Sequence, residues 1–498
     1  MIVHAFAQAL HGFTDPGLWM WLIAGTVSGL IVGIIPGIGS LVSLAVFLSF
    51  VFKMPAEHAL PFMVSTAAAS ITGGSITAIL LNIPGQETNA ATLIDGYPMN
   101  QKGEGGRALG AALASSAMGG VVSVFFALAM VPLILPMVMA IQSADLVSVV
   151  LLGIVFIGVL GSGNMTTGLI SGGLGLLISF IGFQPSTGVP RFTLGIDFLY
   201  DGVGLVPLAM GLFAVPEAVT LAVSGGTIAE SSALIGKMHG VWVGVWDVFL
   251  HWGLWLRSSI IGYLIGLVPG VGAIAASFIA YGQAKASSKH PEKFGRGAVE
   301  GVIAPESANN ASVAGSVMTL LALGIPGGAT AALLMGAFLM LGLIPGPQMM
   351  TEHLDLSLTL MFVIIIANLL ATIICLSTSS TLSKIVHVPS RVLAPLVLVI
   401  SLVGVFAYRE MFNDVIVTLI CSLLGLGLRE FGYNRPALFL GYVLGFVFEK
   451  YLFISLAASG PFFFLRPISL IFILLSVAVV CFGCMKQSMW RRQGEKKE

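Results

Sequence analysis

GIIPGIG at residues 33–39 and GLVPGVG at residues 266–272 each set a proline and three glycines inside strongly apolar sequence. Proline removes a helical hydrogen bond and crowds the preceding turn, and glycine loosens the backbone, so each stretch reads as a helix break. One such break is an ordinary kink. Two alike, more than two hundred residues apart, call for a common cause. Gly29, Gly33, Pro36, Gly37 and Gly39 match Gly262, Gly266, Pro269, Gly270 and Gly272 at a constant offset of 233 residues. GGSITAILLNIPGQETNAA (73–91) then matches AGSVMTLLALGIPGGATAA (314–332), with Pro84, Gly85 and Thr88 against Pro326, Gly327 and Thr330 at offset 242. Later, GLVPLAMGLFAVPEAV (204–219) loosely echoes NRPALFLGYVLGFVFEKYL (434–452). The shared order reads as an internal duplication of about half the chain.

The setting is a membrane. Of 498 residues, 57% are hydrophobic and 9% charged, against about 25% charged in a soluble domain. Residues 18–52, 108–144, 146–190, 307–351 and 356–383 contain no Asp, Glu, Lys or Arg. A spanning helix needs about 20 apolar residues, so the chain reads as an all-α polytopic membrane protein with roughly 11–12 membrane segments. Its 22 basic and 22 acidic residues balance to a formal net charge of +0, which points to no nucleic-acid partner. The N-terminus lacks a basic region followed by an apolar core and does not read as a cleaved signal peptide. Cys481 and Cys484 form a C-x-x-C without a partner pair, inside an apolar run, and read as packing residues. An intramembrane enzyme needs a nucleophile with its base or clustered metal ligands, and no H-E-x-x-H or G-x-S-x-G motif occurs. A channel filter of repeated charged or carbonyl-rich segments is missing too.

Charge placement orients the halves, because cytoplasmic loops collect Lys and Arg. The loop before the second IPG motif holds Lys285, Lys289, Lys293 and Arg296, whereas its first-half counterpart holds Lys53 and Glu57. After the motif the bias reverses, with Lys102 and Arg107 in the first half and Glu352 and Asp355 in the second. The expected architecture is two inverted-topology repeats, residues 1–230 interrupted at 33–39 and 82–89, and residues 231–498 interrupted at 266–272 and 324–330. A basic tail at 486–498 then ends in the cytoplasm, and the N-terminus lies outside. Arg257 and Lys285 fall on one side although 258–284 is apolar, so that segment reads as a re-entrant hairpin with its tip at Pro269–Gly272. Residues 18–52 read as the same device entering from the other face. Duplicated, interrupted helices favour an alternating-access transporter of elevator type.

The candidate substrate- and ion-binding residues are those at the breaks and the polar groups around them. In the first half they are Gly37, Gly39, Ser40, Ser75, Asn82, Pro84, Gly85, Thr88 and Asn89. In the second they are Gly270, Gly272, Asn309, Asn310, Ser316, Pro326, Gly327 and Thr330. Half-helix N-termini hold carboxylates without buried Arg or Lys, and half-helix C-termini and loose carbonyls suit Na⁺. A small organic anion coupled to a cation fits these parts.

GxxPGxG (33–39), GGSITAILLNIPG (73–85), DGYPMNQKGEGGRALG (95–110), FGRGAVEGVIAPESANNA (294–311) and LALGIPGGATAALLMGAFLMLGLIPGP (321–347) together resemble the large membrane subunit of the tripartite tricarboxylate transporters. The resemblance runs along most of the chain. It implies a secondary carrier of the bacterial inner membrane that works with a small four-helix membrane subunit and a periplasmic solute-binding protein. It further implies import of a carboxylate driven by an ion gradient, with Na⁺ as the expected coupling ion and no other cofactor. Gln86-Glu87-Thr88-Asn89 departs from the small neutral residues common in citrate-type members. A carboxylate there repels a trianion unless it is paired, protonated or coordinating the cation, so the motif supports a carboxylate without fixing citrate. Glu306 either binds the coupling ion or pairs with the basic loop 285–296. Glu217 and Glu449 read as interface caps, and His239 and His251, among Trp242, Trp246, Trp252 and Trp255, as an interfacial arm.

Overall fold

The computed structural model describes residues 2–35, 38–160, 165–224, 239–385 and 390–494. Pro36, Gly37, the boundary expected at 230–231 and the end of the basic tail lie outside them. The fold is all-α. Among the described residues the only strands are Gly182–Phe183 and Pro190–Arg191, paired antiparallel.

Ten helices build the centre and are labelled in chain order. The first half supplies α1 (Pro16–Ile34), α2 (Gly39–Val51), α3 (Ala56–Leu81), α4 (Ala90–Gln101) and α5 (Gly105–Ala140). The second supplies α6 (Trp252–Leu267), α7 (Gly272–Ser287), α8 (Glu300–Leu323), α9 (Ala329–Met340) and α10 (Leu354–Ile385). Among the described residues nine helices are long and apolar enough to cross a membrane, or up to ten when Val241–Leu250 and α6, bent by 80°, count as one span. The sequence count was higher because α2 and α9 begin at breaks and, at 13 and 12 residues, are too short to cross alone.

α1 starts where the Asp15 carboxylate accepts from Gly17 N at 2.9 Å, with Pro16 in the first helical position. Its glycines let it lie directly on α3. A Cβ at Gly25, Gly29 or Gly33 would collide with the carbonyl oxygen of Phe62, Thr66 or Ser70 respectively. The paired numbers rise together, so α1 and α3 run parallel, and α2 must carry the chain back between them. The two starts meet where His58 Nε2 lies 2.6 Å from Asp15 Oδ2.

The second half packs alike. A Cβ at Gly262 or Gly266 would strike Ala308 or Ser312, so α6 and α8 are parallel and α7 returns the chain. Arg257 Nη2 donates to Ser287 Oγ at 3.0 Å and closes that hairpin at its base. The glycines in these contacts stand 233 residues apart, Gly29 to Gly262 and Gly33 to Gly266. Their partners stand 242 apart, Thr66 to Ala308 and Ser70 to Ser312.

Across the centre the directions oppose. Asn310 of α8 bonds Thr72 of α3, while Asn89 Nδ2 bridges Ser75 of α3 to Glu306 of α8. As numbers rise on α3 they fall on α8. α5 and α10 likewise run antiparallel, with Thr372 Oγ1 donating to Leu113 O at 3.2 Å and Gly120 lying against Asn368. The candidate span within α3 is fully enclosed by protein. That suits its Ser, Thr, Ala and Gly content, since small residues let backbones approach in lipid.

Candidate functional site

α3 ends at Asn82 with φ 60°, and α8 ends at Gly324 with φ 70°, positions matched at offset 242. Both are left-handed caps, a conformation in which Asn or Gly is favoured. Asn82 therefore has a backbone role, and its side chain is exposed. The chain then folds back through the IPG turns. A Cβ at Gly85 would overlap Gly33 O and come within 2.5 Å of Gly74 Cα. A Cβ at Gly327 would overlap Gly266 O and come within 2.8 Å of Ser316 Cα. Each turn is thus seated on the helix break of its own half, with no room for a side chain.

Four helix starts meet here in a ring. α2 begins at Gly39, φ +56°, where Ser40 N donates to Gln86 Oε1 at 3.4 Å. Ser40 Oγ lies 3.3 Å from Thr330 Oγ1 in the first turn of α9. Just before α9, a Cβ at Gly328 would stand 3.3 Å from the Cα of Gly272, which starts α7 with φ +69°. α7 in turn packs on the Glu87–Asn89 turn that leads into α4. Free N–H groups and the helix dipole give each start about half a positive charge. Gln86 Nε2 and Thr88 Oγ1 are buried in the ring without a hydrogen-bond partner, whereas the Glu87 side chain is exposed.

The fully buried Glu306 sits against this ring. Its Oε1 accepts from Asn89 Nδ2 at 3.2 Å and Thr92 Oγ1 at 2.5 Å. Its Oε2 accepts from Ser116 Oγ at 2.8 Å and Asn309 Nδ2 at 3.4 Å. Asn89 Nδ2 also faces the Ile71 carbonyl at 3.1 Å, which fixes the orientation of its amide. Consequently its Oδ1 points away from the carboxylate, and the Oδ1 atoms of Asn89, Asn309 and Asn310 are all buried without partners. Asn310 Nδ2 is held by Thr72 Oγ1 at 3.1 Å and Asn368 Oδ1 at 2.5 Å.

Among the described residues no ion pair involves Glu306, so it does not pair with the basic loop. Among them too, no three His, Cys, Asp or Glu are placed to hold a metal ion. Amide and hydroxyl oxygens beside one carboxylate are the donor set a hard monovalent cation takes.

Asp95 is the residue sequence reading passed over. Fully buried on α4, its Oδ1 accepts from the backbone N–H of Gly295, Gly297 and Ala298 at 2.8, 2.7 and 2.9 Å. Its Oδ2 accepts from Tyr281 Oη of α7 at 2.9 Å. The DGYPM and FGRGA stretches are therefore two sides of one joint between the halves. Glu217 and Glu449 are ion-paired, Glu217 with Arg429 at 3.3 Å and Arg435 at 3.8 Å, and Glu449 with Arg191 at 2.8 Å. His251 Nδ1 bonds the Asp247 carbonyl at 2.8 Å, Trp242, Trp246 and Trp252 are exposed, and Cys481 and Cys484 are unpaired.

Residues 19–440 match the family model described as tripartite tricarboxylate transporter TctA family. An Agrobacterium vitis protein named "Uncharacterized 52.8 kDa protein in TAR-I ttuC' 3'region" is 33% identical over 435 residues, covering 87% of this chain and 86% of the relative. A second from Agrobacterium vitis, "Uncharacterized protein in TAR-II ttuC' 3'region", is 36% identical over 223 residues, 44% of this chain and 91% of the relative. No solved structure matches. With the family pattern running through both sets of breaks and through the Glu306 and Asp95 clusters, the chain belongs to the tripartite tricarboxylate transporter TctA family.

Proposed function

We propose that the chain is the large, membrane-embedded subunit of a tripartite secondary transporter that imports a small carboxylate, a tricarboxylate or related organic acid, coupled to a cation gradient. The observation that carries this reading is the ring of four helix starts. It offers positive potential and free N–H groups to an anion without a lysine or arginine. Na⁺ is the coupling ion in this reading, with the Glu306 carboxylate and the unpartnered amide oxygens of Asn89, Asn309 and Asn310 as its candidate ligands. The partners are a small four-helix membrane subunit and a periplasmic solute-binding protein, and the site is the bacterial inner membrane with the C-terminus in the cytoplasm.

Two inverted repeats with re-entrant hairpins and an elevator-type motion complete the proposal. In its support, α3 and α8 oppose each other at the centre, as do α5 and α10. Contacts between distant loops also agree with the charge-based topology. Lys53 lies 3.9 Å from Glu410, both on the outer side, and Lys102 Nζ donates to Arg296 O, both on the inner side.

The test is uptake by the three-component system in proteoliposomes, with mono-, di- and tricarboxylates under imposed Na⁺ or pH gradients. Carboxylate uptake driven by Na⁺ is expected. In Glu306→Gln, the Na⁺ concentration for half-maximal uptake should rise at least tenfold. Uptake indifferent to both gradients, or a wild-type Na⁺ response in Glu306→Gln, would refute the coupling assignment.

A further inference from the structure

We infer that the ring of helix starts is a two-point site for a short dicarboxylate, with one carboxylate held by each half of the chain. The inference rests on the carboxylate-transport reading above and narrows its substrate.

The ring divides naturally into two cradles. In the first half, the starts of α2 and α4 are joined through Gln86, whose Oε1 accepts from Ser40 N. In the second, the starts of α7 and α9 are joined where Gly328 meets Gly272. Two helix starts carry about one positive charge together, so each cradle matches one carboxylate and the ring matches a dianion. No residue of either cradle is Lys or Arg; the exposed acid Glu87 borders the first cradle, and its charge is offset by Arg435, which lies close enough to attract it and also pairs with Glu217 at 3.8 Å. The counterpart of Glu87 at offset 242 is Ala329, so the added negative charge belongs to the first cradle alone.

A second observation points to a ligand in that cradle. Gln86 is 7% exposed, and while its Oε1 is engaged with Ser40 N its Nε2 donor has no partner. A buried amide N–H without an acceptor is costly, and a carboxylate oxygen supplies the acceptor. At the matching position of the second cradle stands Gly328, which has no side-chain amide, so the donors there are the backbone N–H groups at the start of α9. The two cradles meet through Ser40 and Thr330, whose hydroxyls lie 3.3 Å apart and belong to opposite halves. Contacts that close around the whole ring leave the two anion points near each other, which sets a short carbon chain between the carboxylates.

The test is direct binding to the purified full chain in lipid nanodiscs by titration calorimetry, using succinate, its monoamide succinamate, propionate and citrate. Succinate should bind tightest, and succinamate about tenfold to a hundredfold weaker, since the amide removes one charge at the same size. Gln86→Leu should weaken succinate about tenfold while propionate, which can occupy the other cradle, changes little. Glu87→Gln should improve citrate more than succinate. Each variant is first checked for a wild-type unfolding midpoint and a monodisperse profile without ligand, and Gln86→Glu, which adds repulsion at the same size, serves if Gln86→Leu fails that check. Citrate binding tighter than succinate, or succinamate binding as tightly as succinate, would overturn the two-point site and leave the carboxylate reading standing. No binding of any of these acids would sink both.

Discussion

Replacing Gly33 with alanine tests whether the backbone contact between α1 and α3 holds the site together. The new Cβ would stand 2.8 Å from the carbonyl carbon of Ser70 and 2.9 Å from its Cα, with the carbonyl oxygen closer still. Carbon atoms normally approach to about 3.5 Å, so the helices must part by roughly 0.7 Å or more. Overpacking of this kind costs about 1–3 kcal/mol, and the upper end applies because the obstacle is backbone rather than a side chain that can swing aside. Gly266→Ala repeats the experiment in the other half, 2.9 Å from Ser312 Cα. Gly282→Ala is the control, because a Cβ there meets nothing within 4 Å and alanine gains about 0.5–1 kcal/mol over glycine in a helix. Tryptophan fluorescence during thermal unfolding in detergent, with uptake measured in parallel, reads both consequences. Gly33→Ala and Gly266→Ala should lower the apparent midpoint and cut uptake at least tenfold, and Gly282→Ala should hold or raise the midpoint. If Gly33→Ala unfolds together with Gly282→Ala, the close contact is not supporting the site.

Asp95→Ala strips the acceptor from three backbone N–H groups and the Tyr281 hydroxyl. At about 1.5–3 kcal/mol for each bond to a charged group, the yield of monodisperse protein should collapse, whereas Asp95→Asn, which keeps one oxygen for the loop, should retain most of it. Equal yields from the two variants would remove Asp95 from the joint. Single cysteines at Lys53 and Lys289, both exposed, should label from opposite sides of the membrane in a background free of native cysteine. Labelling from one side would contradict the inverted arrangement.

The breaks are legible because proline and glycine act locally and the sequence carries the same pattern twice. Gly29, Gly33, Gly262 and Gly266, picked out by spacing alone, are the residues at which helix meets helix. Asn82, a candidate polar ligand, has a second role that the alignment also carries: its counterpart at offset 242 is Gly324, and an Asn aligned with Gly at a helix end signals a left-handed cap. The surroundings of Glu306 were not legible. Its carboxylate is held by Thr92 and Ser116, 214 and 190 residues away in sequence, while the basic loop that is near in sequence leaves it alone. Asp95 was hidden for a similar reason, since backbone N–H groups carry no side-chain signature. Its only trace was GRGA at 295–298, where Gly295 and Gly297 adopt φ +81° and +95° to turn their N–H groups toward one point.

The Asp95 joint bears on what can move. α4 belongs to the first half of the sequence and the loop it grips to the second, and α5 lies against α8 so closely that Gly119 touches the Ser307 backbone. Prying the two sequence halves apart like the shells of a clam would tear this joint, the Glu306 cluster and the Gly119 contact at once. The boundary between the two sequence halves is therefore not a plane along which the structure divides. In the proposed transport cycle, both sets of breaks would therefore move as one piece, so that the ring of helix starts keeps its shape while the walls around it change.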